Sequence, residues 1–413
     1  MSINTTNIPE QICELKRRVR EQCPEMLEHF KEVESMLAEE IAAIESANQR
    51  GDSVIPEIAY SDITENKVDK TTIEDVKRRG AVVVRNVFTQ EKASGWYGEL
   101  ESYLDNNGYY EQDNPELDHY FSDLKSDRPQ ICAVYWSKPQ VEARQSPKLA
   151  QARSFLNRLW NYQDNETLHF DPDRECTYVD RVRMRQPGDT SLGLSPHIDG
   201  GSIERWLGDN YQQVYRSLFS SNWQDFNPFN GAFRPEVEGV DSPAVCRAFR
   251  TWQGWTALTP QGPGDGTLQL IPTTLCIAYV LLRPFQEDVP EDMLCGAVEG
   301  RAQAITTEWH SLLLRGLVSV PKVNPGDTVW WNPDVVHAVE HEHRGSGVSS
   351  VLYIGSAPWC ERNLRYLERQ KLPFLEGRSA PDFASEDFEV SYPNRATLDD
   401  LTELGKQQMG FVQ

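Results

Sequence analysis

Near the start of the chain, apolar residues recur at three- and four-residue steps: Ile12, Leu15, Val19, Met26, Leu27, Phe30, Val33, Leu37, Ile41 and Ile44. That spacing puts one apolar stripe along a helix. Pro24 interrupts it, so two helices are predicted over 8–48. Such a stripe either lies on the main body or forms a coiled-coil arm. Residues 49–72 read as a connecting loop. A β-branched run over 80–88 then predicts a buried strand, and Thr89 caps a helix over 90–106. Residues 109–130 are acidic and irregular, 131–136 read as strand, and 147–161 as helix.

From 177 to 357 the pattern changes. Short β-type runs at 177–185, 252–258, 267–271, 275–282, 316–320, 328–331 and 349–354 alternate with Pro, Gly and Asp turns. Many short strands with such punctuation argue for a barrel or sandwich. Residues 361–371 and 397–409 read as helix again. The expected fold is α+β. A helical extension and linker (1–74) precedes one β domain with flanking helices (75–375), and a tail with a short helix (376–413) follows.

Composition narrows the function classes. The 413 residues are 39% hydrophobic, with 11 Trp, 15 Tyr and 15 Phe, enough to build a sizeable core and to exclude bulk disorder. Asp and Glu number 63 against 41 Lys and Arg, a net charge of −22. That sign repels phosphate backbones and anionic lipids, so neither nucleic acid nor a membrane surface is the expected partner. No apolar run approaches the roughly 18 residues of a membrane span. The first residues lack the apolar core of a secretion signal. Eight scattered cysteines without a CxxC pair suggest reduced thiols, and with them a cytoplasmic setting.

Two histidines stand in suggestive surroundings. One lies in Ser195-Pro-His197-Ile-Asp199-Gly-Gly201. The other closes Pro325-Gly-Asp327-Thr-Val-Trp-Trp-Asn-Pro-Asp-Val-Val-His337, a turn that launches a strand toward a histidine. A bare His-x-Asp says little. With His337 it completes the two-histidine, one-carboxylate set that holds non-haem Fe(II) on one face and leaves open positions. Residues two apart at a strand end point to one face, and a barrel can bring a distant strand alongside. His341 and His343 share the strand face of His337 and rival it, unless they belong to a charged hairpin turn. Trp206, Trp252, Trp255, Trp330 and Trp331 read first as core, with Trp331, six residues before His337, the one that could instead face such a cavity. The aromatic-rich stretch 203–235 reads either as a lid or as a surface insertion.

The order of these motifs resembles that of the Fe(II)/2-oxoglutarate-dependent oxygenases. Between the two histidine motifs lie Trp252-Gln-Gly-Trp-Thr-Ala-Leu258 and Gly266-Thr-Leu268-Gln-Leu-Ile-Pro272. The Gln-Gly-Trp strand and Tyr353-Ile-Gly-Ser-Ala-Pro358 are similar to the YbiU-like branch, over about residues 75–375. The resemblance implies a double-stranded β-helix, a jelly-roll or cupin-like barrel. It further implies Fe(II), 2-oxoglutarate and O2 as cofactors, and oxidation of a C–H bond of a small molecule by hydroxylation, desaturation or ring closure. His197, Asp199 and His337 would be both the metal ligands and the catalytic centre. Two other classes stay open. One is a cupin-like isomerase or oxidase that uses a metal but no 2-oxoglutarate; the other is a non-catalytic binding protein.

The far carboxylate of 2-oxoglutarate needs a cation, and arginine suits it. Oxygenases of this kind often supply it from an Arg-x-Ser pair shortly after the second histidine. Here that stretch is Ser346-Gly347-Val348, with Ser350 in the serine place and Arg344 the nearest arginine. Arg181-Val-Arg183-Met-Arg185 is the other source, with alternation placing three arginines on one strand face. That face is either a solvated surface or the cavity wall. Arg183 is the expected anchor, then Arg344, with Arg250 next in line. An amino-acid-like or other small acid is the expected substrate.

Overall fold

The N-terminal stripe forms two helices, Ile8–Gln22 and Met26–Gln49, broken at Pro24 as the pattern requires. They lie on the body and are not a free arm. Ile12, Val19, Val33, Leu37, Ile41 and Ile44 are buried against Ile198, Trp206, Ile277 and Leu281. A fully buried aliphatic side chain contributes about 1.5–3 kcal/mol, so this face ties the extension firmly to the rest. The computed structural model describes residues 7–111, 129–190, 194–237 and 246–412, so most of the acidic stretch at 109–130 falls outside it.

Among the described residues, twelve strands form the two main sheets. In chain order they are β1 (Glu57–Ala59), β2 (Ala81–Arg85), β3 (Ile131–Cys132), β4 (Val182–Arg185), β5 (His197–Ile198) and β6 (Gln253–Ala257). They continue with β7 (Leu268–Leu270), β8 (Gln303–Ala304), β9 (Val318–Ser319), β10 (Thr328–Trp331), β11 (His337–Val339) and β12 (Ser349–Tyr353). The larger sheet runs β1-β2-β10-β6-β12-β4-β3 and the smaller β8-β5-β11-β7-β9. Pairing is antiparallel throughout except between β1 and β2.

Strand alternation sorts the side chains into layers. Ala81, Val83, Trp255, Val329, Trp331 and Val351 of the larger sheet meet Leu268 and Leu270 of the smaller one in a shared interior. Their neighbours Val82, Val84, Val182, Met184, Trp330 and Leu352 face outward, under Trp96, Leu100, Leu149 and Leu156 of helices Gln90–Asn106 and Pro147–Asn157. The outer face of the smaller sheet lies under the N-terminal helices. The chain is therefore a mixed α+β fold, with two facing sheets between helical layers.

Local chemistry fixes the joints that matter for the site. Asp327 of Pro-Gly-Asp accepts from Arg85 at 2.7 Å and from the backbone of Asn86 and Asn324 at 2.8 and 2.9 Å, which pins the turn that launches β10. Gly254 is required by close packing: a Cβ there would stand 2.7 Å from both Trp330 and the Val329 carbonyl. Several expectations need correction. Leu275–Leu282, read as a strand, is a helix buried on nearly every side. A continuous apolar run does not by itself distinguish a buried strand from a buried helix. The expected linker 49–72 supplies β1 and a short helix, Tyr60–Thr64. The helix expected over 361–371 runs Glu361–Glu376, through Pro373. All eight cysteines are free thiols. Among the described residues no helix is long and apolar enough to cross a membrane.

Candidate metal centre

β5 and β11 are neighbours, and His197 stands directly opposite His337. Their ring centroids are 4.2 Å apart. Asp199 follows β5 by one residue and turns its carboxylate between them, with Oδ1 3.3 Å from His197 Nε2 and Oδ2 3.7 Å from His337 Nε2. The three groups offer ligand atoms within 4.8 Å of one another. His343 and His341 do not join them: His341 is exposed, and His343 is buried elsewhere, beside Gly345.

The tautomers suit a metal. His197 Nδ1 lies 2.6 Å from the Ser195 carbonyl and His337 Nδ1 3.3 Å from the Val335 carbonyl. A carbonyl only accepts, so each Nδ1 carries its proton and each Nε2 is left as a lone-pair donor. The carboxylate–imidazole separations of 3.3 and 3.7 Å are short enough for one ion to be held by all three groups. Burial, reinforced by neighbouring His197, pushes the pKa of His337 down to about 4, so this imidazole is neutral at neutral pH. Burial opposes charge on His197 too, but the hydrogen bond and charge of Asp199 hold its pKa above the ordinary value. Burial would raise the Asp199 carboxyl; His337, His197 and Arg250 hold it well below the usual range.

A second tier of residues holds the ligands. Gln253 Nε2 donates to Asp199 Oδ2 and Arg205 to the Asp199 backbone carbonyl. A carboxylate only accepts, which fixes the Gln253 amide and turns its Oε1 away. That Oε1 is buried without a hydrogen-bond partner, as is the indole Nε1 of Trp331, whose ring lies 5.4 Å from His337. Both side chains line the cavity that opens on the centre, so each offers a polar atom to a guest. Asp334, just before β11, accepts from Arg205 at 3.1 Å, Arg234 at 2.8 Å and Tyr215 at 2.7 Å. This network comes from the 203–235 stretch, whose Trp206, Tyr215, Leu218 and Phe229 are buried. The stretch contributes no lining residue to the cavity. It is a buttress behind the centre, neither a lid nor a surface insertion.

The cavity measures about 480 Å³ and lies between the sheets. Arg183 lines it, buried, donating to the Gly266 carbonyl at 3.0 Å and reaching Gln130 at 3.4 Å. No described carboxylate comes within ion-pair distance of it. Arg181 lines the cavity as well, so the arginine face of β4 is a wall and not a solvated surface. Arg185 is committed instead to the carbonyls of Glu340, His341 and Gly266. Gly266 adopts φ +64°, and a Cβ there would strike Arg185 at 2.6 Å, which explains the glycine. Arg344 is 72% exposed, in a turn outside the cavity. Ser350 is buried on the outward face of β12, opposite Met184, while its neighbour Val351 faces in. The structure thus brings His197, Asp199, His337 and Arg183 together and leaves Arg344 and Ser350 apart. Gln253 and Trp255 of the Gln-Gly-Trp strand and Tyr353 of the Tyr-Ile-Gly-Ser-Ala-Pro run also line the cavity, a role that their motifs alone do not announce.

The Gig2-like family profile matches residues 6–411. The uncharacterised protein YbiU of Escherichia coli K12 is 41% identical over 402 residues, covering 97% of this chain and 96% of that one. A solved structure from Salmonella typhimurium LT2 superposes with a TM-score of 0.93 at 39% identity, covering 99% of each chain. The GlcNAc-inducible protein Gig2 of Candida albicans superposes with a TM-score of 0.82 at 29% identity, covering 97% of this chain and 88% of that one. A match of that extent, from end to end and through both histidine motifs, places the chain in the Gig2-like family.

Proposed function

We propose that this protein is a non-haem Fe(II)- and 2-oxoglutarate-dependent dioxygenase that oxidises a C–H bond of a small molecule, on a double-stranded β-helix. The observation that carries the reading is the convergence of His197 Nε2, His337 Nε2 and the Asp199 carboxylate in the wall of a cavity of about 480 Å³. Two imidazoles and a carboxylate suit Fe(II) and leave positions for other ligands. Bound there, Fe(II) with 2-oxoglutarate and O2 supplies the oxidation, giving oxidised substrate, succinate and CO2.

The protein's own residues do the rest. Ser195 and Val335 carbonyls set the imidazole tautomers, and Gln253 and Arg205 set the carboxylate. Arg183 offers a buried guanidinium, with no described carboxylate within ion-pair distance, for the far carboxylate of the cosubstrate. It stands in for the arginine missing after His337, reaching the same region from β4, across from Val351 of β12.

The test is succinate release from 2-oxoglutarate, screened against a metabolite panel with and without Fe(II). Fe(II)-dependent succinate that rises with one substrate class supports the reading, and Arg183→Gln should then raise the 2-oxoglutarate requirement sharply. Metal-dependent turnover indifferent to 2-oxoglutarate would transfer the assignment to a cupin-like isomerase or oxidase. Protein that takes up no metal would leave only a binding role.

A further inference from the structure

We propose that Arg250 receives a carboxylate of the substrate, and that the enzyme therefore acts on an organic acid. This rests on the functional reading above and names the substrate class for the same site.

Arg250 forms part of the wall between the main cavity and a smaller adjoining pocket. Its side chain is only 14% exposed. It makes no hydrogen bond to any described residue. Its contacts are the ring of Tyr178, 5.0 Å away, and Asp199 Oδ2 at 3.7 Å. The surrounding arginines differ. Arg205 is spent on Asp334, Tyr215 and the carbonyls of Gly201 and Asp199, and Arg185 on backbone carbonyls. A guanidinium has five donors, and leaving them unmade in a largely buried place is costly unless a guest completes them.

Charge gives the second argument. Asp199 is the one described carboxylate within ion-pair distance of Arg250. A divalent ion held by Asp199 claims that negative charge; Asp180 and Asp382 also line the cavity and act on Arg250 from farther off, but neither is within ion-pair distance, so Arg250 is left without a close anion. The adjoining pocket does not supply the balance: Arg205, Arg234 and Arg362 line it, against Asp334. Arg362 donates to the Arg247 carbonyl at 2.6 Å and has no described carboxylate within ion-pair distance. A buried cation in that state calls for an anion, and the planar fork of arginine fits a carboxylate through two parallel bonds.

Position separates this role from that of Arg183. Arg183 arises from β4, two strands from β6 and so about 9–10 Å across the sheet, suited to the far end of an extended cosubstrate. Arg250 is in contact with a ligand of the metal centre. An acid held by Arg250 presents the carbons next to its carboxylate to that centre.

The experiment is calorimetric titration of full-length protein loaded with redox-inert Zn(II), with and without saturating 2-oxoglutarate. The probes are linear, branched and aromatic carboxylic acids, each with its matching primary amide and phosphate monoester. In the wild type at least one acid should bind about tenfold or more tighter than its amide. Arg250→Gln should abolish that preference while Zn(II) and 2-oxoglutarate are still bound, and Arg250→Lys should restore part of it. Arg183→Gln should do the reverse, weakening 2-oxoglutarate alone. The proposal is overturned if amides or phosphate esters bind as well as acids, or if the preference survives Arg250→Gln. It is equally overturned if Arg250→Gln releases Zn(II), which makes Arg250 a brace for Asp199, or weakens 2-oxoglutarate, which makes it the cosubstrate anchor. Absence of Zn(II)-dependent 2-oxoglutarate binding in the wild type would overturn the functional reading instead, and the acid and amide pairs then still decide Arg250 on the metal-loaded protein.

Discussion

Each imidazole at the centre is committed through Nδ1 to a backbone carbonyl two residues earlier, which makes the lone pair on Nε2 a property of the local chain. This sets a pH dependence. His337 is neutral over the physiological range, whereas His197 is held above its ordinary pKa by Asp199, after burial has worked the other way. Protonating His197 removes a lone pair that a metal needs. Zn(II) affinity measured by competition should therefore fall as pH drops through neutrality, with proton release on binding. An affinity flat from neutral to mildly acid pH would contradict this. Gln253 is the residue through which the effect of position is most easily separated from that of ligation. Gln253→Ala removes the donor to Asp199 Oδ2 and leaves all three ligands in place. Metal affinity should drop about 10–100-fold, the usual cost of removing a group that orients a ligand. His341→Ala, an exposed side chain outside the centre, should leave it unchanged.

At the scale of elements, the segment from Asn332 to Val336 delivers His337, and Asp334 holds that segment in place through Arg205 and Arg234. Burial would raise the Asp334 carboxyl, but the two guanidiniums hold it below its usual range. Asp334→Ala strands two buried arginines, so stability in urea should fall by about 3–5 kcal/mol, with Zn(II) binding weakened as well. The folded pKa lies below the unfolded one. The Asp334 contribution is therefore present above the ordinary carboxylate range and lost as pH falls through and below it. The wild-type advantage over the variant should shrink in acid, and a gap that is constant down to strongly acid pH would refute the network.

Much of this was legible beforehand. Pro24, Thr89 and the Pro-Gly-Asp turn are local signals, and each acts where it stands. Strand alternation correctly put Arg183 opposite in sense to Val182 and Met184. The residues 275–282 were misread because eight apolar residues have no periodicity to read, and only the N-terminal helix packed on them decides their shape. The buttress role of 203–235 was hidden for a related reason. Its partner Asp334 is far away in sequence, and nothing near Arg205 or Arg234 announces a buried carboxylate. Arg344 and Ser350 illustrate the limit of spacing: the register of β12 sends Ser350 outward, and the turn holding Arg344 lies in solvent.

Across the whole molecule, the smaller sheet carries both histidines on strands whose outer face is covered by the N-terminal helices. Removing residues 1–49 would uncover Ile198, Trp206, Ile277 and Leu281 together. The truncated chain should lose its cooperative thermal transition, or aggregate, rather than persist as a trimmed β domain. An unchanged melting temperature would show that the helices are a detachable extension. The net charge of −22 adds a further constraint: anionic guests reach the cavity against the overall field, so local arginines must supply the attraction.

The most direct measurement is an anaerobic titration. Fe(II) is added to full-length protein, followed by 2-oxoglutarate, with the visible spectrum recorded at each step. A weak charge-transfer band that needs both additions and saturates at one equivalent of each is the predicted result, absent in His197→Ala, Asp199→Ala and His337→Ala. No band in the wild type, or a band that survives replacement of those ligands, would contradict the assignment of the centre.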